Sequence, residues 1–124
     1  MDSNGHSIVQ RPGSAASLDS RFDVETAVAF LNGNNALIRM MVEQMRSDRA
    51  AGLRSQAFVT GYPGSPLGSI DIALRQARKT LDAHGITHRE AQNEEFAVSM
   101  LSGTQMLDEH PHPEVDGVVG YWYG

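Results

Sequence analysis

Three short stretches of the chain carry residue types and spacings that could do chemistry: TGYPGSP at 60–66, NEEF at 93–96 and EHPHPE at 109–114. In the first, Gly61, Gly64 and Gly68 give the spacing G-x-x-G-x-x-x-G. Glycines remove side-chain bulk, so a ligand can approach backbone N–H groups, while Pro63 and Pro66 freeze the path of the loop. Ser65 adds a hydroxyl that can donate or accept. The spacing matches neither the dinucleotide fingerprint nor the phosphate loop, which ends in lysine. The competing reading is a tight strand-to-helix turn with Ser65 or Ser69 as a helix cap, and local spacing alone favours it.

In the second stretch Asn93 is a natural helix cap, and Glu94 and Glu95 complement the positive end of the helix dipole. The functional alternative makes one carboxylate a proton handler. Adjacent helical residues point about 100° apart, so only one of the pair can face a site. In the third stretch His110 and His112 lie two apart in an extended, proline-rich segment, so both point the same way. A metal site is conceivable there, but no further ligand cluster lies nearby in sequence, and exposed loop histidines account for the pattern better. His84 and His88 have no evident partner, and no Ser-His-Asp or Cys-His arrangement emerges.

The elements that must position these stretches follow from periodicity. Residues 1–21 are rich in Ser, Gly, Asn and Asp and read as a loose tail ahead of a domain over 22–124. Asp23 is placed to cap a helical turn through Val28 and Phe30. Asn32-Gly33-Asn34-Asn35 breaks the chain and offers a cap for a helix whose inward face is Leu37, Ile38, Met41, Val42 and Met45, with Gly52 as its stop. Ala57–Thr60 is uncharged, as a buried parallel strand should be. Ile70, Leu74, Ala77 and Leu81 predict a second helix stopped by Gly85, with Arg75, Arg78 and Lys79 outward. Residues 86–90 form a polar second strand. A third helix follows Asn93 with Phe96, Ala97, Met100 and Leu101 inward, and Val115, Val118 and Val119 lead a third strand ending in YWYG.

Strands alternating with helices imply an α/β fold: a parallel sheet with helices on its faces. Ligands of such sheets bind beyond the C-terminal strand ends. The loops after Thr60, after Glu90 and after Tyr121 should therefore share one sheet edge. Three strands are few, and an aromatic-rich strand end is expected to need further cover; the expectation is an incomplete sheet, the first part of a larger domain.

Composition narrows the function classes. The chain has 124 residues, 40% hydrophobic and 20% charged, with a formal net charge of −5. One domain of this size buries roughly 65% of its unfolded surface. An acidic balance argues against nucleic-acid binding, which needs a basic surface. There are no cysteines, so the chain supplies no thiolate for a disulfide, a zinc site or an iron–sulfur cluster. Neither a signal peptide nor an apolar run of membrane-helix length is visible, and a cytoplasmic protein with no membrane partner is expected.

Taken together, FVTGYPGSPLGSID, QNEEFAVSMLSGTQ and DGVVGYWYG resemble the amino-terminal region of the indolepyruvate ferredoxin oxidoreductases. These belong to the thiamine-diphosphate-dependent 2-oxoacid:ferredoxin oxidoreductases. The likeness runs from about Phe22 to Gly124, and its specificity lies in the combination of GYPGSP with NEE. It implies the pyrimidine-binding domain of the thiamine-diphosphate fold, with the cofactor held between this domain and a diphosphate-binding domain or subunit. On this resemblance Glu94 is the catalytic glutamate that hydrogen-bonds the aminopyrimidine and promotes the tautomer that activates the thiazolium carbon. Gly61, Tyr62, Pro63, Gly64, Ser65, Pro66 and Asn93 are implied to line the cofactor. Ser65 stands where relatives often carry threonine, keeping the hydroxyl and losing the methyl. Glu95 falls at a more variable position and is expected to be solvated or at an interface.

The implied reaction is oxidative decarboxylation of an aryl 2-oxo acid to an acyl-coenzyme A, with electrons passed to ferredoxin. The sequence lacks the G-D-G…N motif that binds magnesium and diphosphate, and it has no cluster cysteines. Magnesium and iron–sulfur clusters would come from other domains or subunits, and the isolated chain is expected to be inactive. Two alternatives stand beside this expectation. One is a truncated, non-catalytic remnant or docking subunit. The other is a free-standing module binding a small phosphate ligand through Gly61–Ser69, against which the absence of Lys and Arg in that loop counts.

Overall fold

The computed structural model describes residues 21–22, 31–64 and 67–124. The expected tail, the helical turn from Asp23, and Ser65 and Pro66 of the glycine loop lie outside the described residues.

Helix α1 (Gly33–Ala50) begins where Asn32 Oδ1 accepts the Asn35 N–H at 2.8 Å. Ile38, Met41, Val42 and Met45 are buried at the i, i+3, i+4, i+7 spacing of one helix face. Leu37, expected inward, sits at the border of that face and is partly exposed. Gly52 ends the helix at φ +81°, with the Gly52 N–H on Arg49 O and the Leu53 N–H on Asp48 O. Glycine takes that left-handed conformation without penalty.

Strand β1 (Ser55–Gly61) is the centre of a three-stranded parallel sheet, flanked by β2 (Ile86–Glu90) and β3 (Gly117–Tyr123) in the order β2-β1-β3. The fold is therefore α/β, an open parallel sheet with flanking helices. Arg54 and Asp116 clasp the starts of β1 and β3: the Arg54 backbone N–H and guanidinium both donate to the Asp116 carboxylate, at 2.7 and 2.8 Å.

Between β1 and β2 the single helix expected over 70–81 is two, α2 (Ile70–Gln76) and α3 (Arg78–Ala83). Ala77 departs from helical geometry at φ −86°, ψ 4°. The bonds Ala77 N–H to Ala73 O and Leu81 N–H to Ala77 O nevertheless run across the break. The inward stripe survives, with Ile70, Leu74, Ala77 and Leu81 all buried. Ser69, a candidate cap, makes no capping hydrogen bond; it stands at φ 64° and its hydroxyl donates to Gly68 O at 2.6 Å.

Because β1 leads to β2 and the chain then returns past β1 to β3, right-handed crossovers place α2–α3 and α4 (Glu94–Thr104) on opposite faces. On one face Ala57, Val59 and Tyr123 pack with α1, α2 and α3 in the main core, which Phe22 also joins. On the other, α4 lies so close to β3 that a Cβ on Gly120 would stand 2.7 Å from Leu101 Cδ1.

That second layer is thinner. Phe96, expected inward, is 56% exposed, and Trp122 is 51% exposed. Thr60, on the same face of β1, is fully buried, and its hydroxyl finds no partner among the described residues. An unsatisfied buried hydroxyl costs about 1–3 kcal/mol. Thr60→Val, which keeps the shape and removes the oxygen, is expected to raise the melting temperature by several degrees. A fall in thermal unfolding temperature would mean the hydroxyl is bonded in solution.

Candidate functional site

The strand register brings the three expected loops together. Gly61 lies opposite Glu90 on one side and Tyr123 on the other, so β1, β2 and β3 end at one edge of the sheet. The Ala91 N–H donates to Gly61 O at 2.9 Å, tying the link that leads into α4 to the start of the glycine loop. The strand order reverses between β1 and β3, which makes this edge a topological switch point, where open α/β sheets take their ligands.

At that edge Gly61 and Gly64 give room to this chain's own aromatic rings. A Cβ on Gly61 would stand 2.1 Å from Tyr123 O and 2.4 Å from Tyr123 Cδ2; one on Gly64 would stand 2.4 Å from Tyr62 Cε1. Asn34 of α1 reaches over to donate to Gly68 O at 3.3 Å, steadying the far end of the loop. Beside it an apolar cavity of about 240 Å³ opens between α1 and β3, lined by residues that include Leu37, Met41, Leu67, Ile70, Tyr121 and Trp122.

Asn93 is the cap the sequence suggests: its Oδ1 accepts the Phe96 N–H at 2.9 Å. Glu94 and Glu95 follow in the first turn of α4, both exposed. Glu94 forms no hydrogen bond or ion pair among the described residues, so its carboxylate is available to a ligand or a partner at the sheet edge.

A polar cluster that motif reading did not anticipate lies on the opposite face of the same edge. Tyr123 crosses above Gly61, and its hydroxyl meets His88 Nε2 at 2.9 Å, with the ring centroids 6.0 Å apart. Arg75 bridges Glu90 at 2.7 Å and the largely buried Asp71 at 3.2 Å. Its only sequence signals are His88 and Glu90 two apart on one strand, and Asp71 and Arg75 four apart on one helix.

Burial pushes the Tyr123 phenol up to about 12, with the Glu90 and Asp71 carboxylates adding to the effect. Burial also holds His88 below its ordinary 6.5. His84, beside Arg49 at 3.4 Å, is lowered by burial and by that guanidinium. Both imidazoles therefore bind protons more weakly when folded than when unfolded. Stability is retained above the unfolded value and declines as pH falls below about 6.5. His88→Gln is expected to make the urea midpoint less pH-dependent between about pH 7 and pH 5. An unchanged slope would show that His88 does not contribute.

In the 109–114 loop the His112 backbone N–H donates to His110 Nδ1 at 3.2 Å. No group of three or more His, Cys, Asp or Glu is arranged to hold a metal ion among the described residues. Among those residues, too, no helix is long and apolar enough to cross a membrane.

No family model matches the chain, and no curated protein or solved structure matches it.

Proposed function

We propose that the chain is the pyrimidine-binding part of a thiamine-diphosphate-dependent indolepyruvate (2-oxoacid) ferredoxin oxidoreductase, completed by a diphosphate-binding domain or subunit. The observation that carries this reading is the Ala91 N–H to Gly61 O bond. Through it the start of the glycine loop at Gly61 and the link into the Asn93-Glu94 helix start, parts of the two halves of the sequence resemblance, adjoin at one sheet edge. The residues there suit a cofactor's aminopyrimidine. Glu94 offers an exposed carboxylate with no partner among the described residues, and Asn93 holds the helix start in place; the apolar cavity of about 240 Å³, large enough for an aromatic ring, lies beside the glycine loop on the α1 side of the sheet.

When bound, thiamine diphosphate supplies the electron sink for decarboxylation of a 2-oxo acid. The role of this chain is narrower. Glu94 holds a proton at a ring nitrogen, the loop from Gly61 limits the space around it, and exposed Phe96 and Trp122 give an apolar surface for the subunit that closes the site. Magnesium, iron–sulfur clusters, coenzyme A and ferredoxin would be bound outside this chain.

Trp122, the one tryptophan of the chain, lies at that edge and reports on the site. In a complex with a diphosphate-binding subunit, thiamine diphosphate with magnesium is expected to quench Trp122 fluorescence, and Trp122→Phe to abolish that part of the signal. Unaltered Trp122 emission at saturating cofactor would refute the reading. The alternative, a docking subunit without catalysis, draws on the same exposed Phe96 and Trp122; it predicts complex formation with no effect of Glu94 substitution on turnover.

A further inference from the structure

A polar cluster spans the sheet above Gly61, and its chemistry does not depend on the function proposed above. Ile86, His88 and Glu90 alternate along β2 onto the face of the main core, where Ile86 is buried. Val59 stands opposite His88, and Gly61 stands opposite both Glu90 and Tyr123. The missing side chain at Gly61 leaves the space through which the Tyr123 ring reaches across β1; a Cβ there would stand 2.4 Å from the ring. The two outer strands share no backbone ladder. They are joined instead by the Tyr123 hydroxyl on His88 Nε2 at 2.9 Å.

The hydrogen of that bond belongs to the phenol. Tyr123 is only 6% exposed, and its hydroxyl has no other hydrogen-bond partner among the described residues. A buried phenol must place its one hydrogen on an acceptor, and a neutral imidazole offers a ring nitrogen. Tyr123 therefore donates, Nε2 accepts, and the proton of the neutral His88 ring sits on Nδ1. The reverse direction would leave the phenol hydrogen unpaired in the interior. Around the ring stand Asp71 and Arg75 of α2, Arg78 of α3 and Glu90 of β2, and Asp82 of α3 lines the same cleft. Arg89, opposite Thr60, projects from the other face of the sheet. Arg75 bridges Glu90 and Asp71, so one guanidinium ties the end of β2 to the first turn of α2.

We propose that His88 and Tyr123 form a proton-operated latch across the strand-end edge of the sheet. Imidazolium carries two N–H donors and no acceptor. A proton taken up from solvent at Nε2 therefore reverses the bond: Nε2–H donates to the phenol oxygen, and the phenol hydrogen must turn elsewhere. The acceptors that bear on this hydroxyl are the Glu90 and Asp71 carboxylates, and Arg75 holds both. Protonation of one half-buried ring is thus passed to the ends of β2 and β3 beside Gly61, and to the bridge that anchors α2. Burial holds His88 below its ordinary 6.5, so the latch is set at neutral pH and reverses in mildly acidic solution. By reciprocity, a ligand that moves Tyr123 or Glu90 on binding at this edge shifts the His88 midpoint.

The test is a titration of the full chain from about pH 7.5 to about pH 5, followed by imidazole, tyrosine-ring and amide NMR signals. His88→Gln assigns the His88 resonance. In the parent the Tyr123 ring, Gly61 and Glu90 signals are expected to move with the His88 midpoint, and in His88→Gln to lose that inflection. Tyr123→Phe keeps the ring over Gly61 and removes only the hydroxyl. His88 there loses a donor that favours its neutral form, so its midpoint is expected to rise by about half to one pH unit, the worth of one hydrogen bond. A bond running the other way, with Nε2–H donating to the phenol oxygen, gives the opposite sign. A midpoint that falls or stays put in Tyr123→Phe, or Gly61 and Glu90 signals flat across the His88 titration, would overturn the proposal.

Discussion

Glu94→Gln, in an enzyme assembled from this chain and a diphosphate-binding partner, is expected to lower turnover by about 10²- to 10⁴-fold, the usual worth of a positioned acid–base group. A carboxyl can hold a proton at a ring nitrogen and release it; an amide of the same shape cannot. The fold should not suffer. Glu94 is exposed, and the helix start is held by the Asn93 side chain on the Phe96 N–H. The loss of one first-turn charge costs about 0.3–1 kcal/mol at most. Glu95→Gln removes the same charge from the same turn but points about 100° away, and it is expected to leave turnover within a fewfold of the parent. A steady-state assay of 2-oxo acid decarboxylation separates these outcomes. Near-normal turnover in Glu94→Gln would sink the catalytic assignment, whatever Glu95→Gln does.

Gly61→Ala carries the largest expected effect on stability. The added methyl meets Tyr123 O at 2.1 Å and Tyr123 Cδ2 at 2.4 Å, and the first of these is backbone. A side chain can swing aside; a backbone oxygen in the adjacent strand moves only if β3 moves with it. Overpacking a well-fitted core ordinarily costs about 1–3 kcal/mol, occasionally more, and a backbone clash at the central strand belongs at the upper end. Against a total of about 5–15 kcal/mol for a small domain, that is a large fraction. The measurement is the urea midpoint. Gly61→Ala in a Tyr123→Ala background should recover part of the loss, since the ring is gone and the oxygen remains. Gly120→Ala offers a comparison, because its nearest neighbour is the terminal Cδ1 of Leu101 at 2.7 Å. It should cost less than Gly61→Ala. The reverse order would mean that β3 and β1 are not packed as described.

The parts of this structure that local chemistry controls were legible in the chain. Asn32 and Asn93 cap helices because a short polar side chain can reach an N–H three residues on. The inward stripe of α1 and the parallel strand pattern follow from side-chain periodicity, and periodicity was enough for the α/β class. The break at Ala77 was not legible, since the apolar spacing is the same with or without it. Nor was the exposure of Phe96, because periodicity shows which residues share a helix face and not how much of that face finds cover. The His88–Tyr123 bond joins residues 35 apart, and their meeting depends on strand order, which no local pattern specifies.

The glycine loop marks the same boundary. From sequence, TGYPGSP is a tight connection after a strand, with Asn93-Glu94 at the start of a later helix; residue types and spacing determine that much. Only the tertiary structure decided that β1 and β2 are neighbours in register, so that Gly61 O and Ala91 N–H bond and the two stretches share an edge. It also decided that the space over Gly61 is filled by the Tyr123 ring. The physical reason is that caps and periodic faces are settled by bonds across a few residues. Strand pairing is settled by burying one sheet between helices contributed by the whole chain.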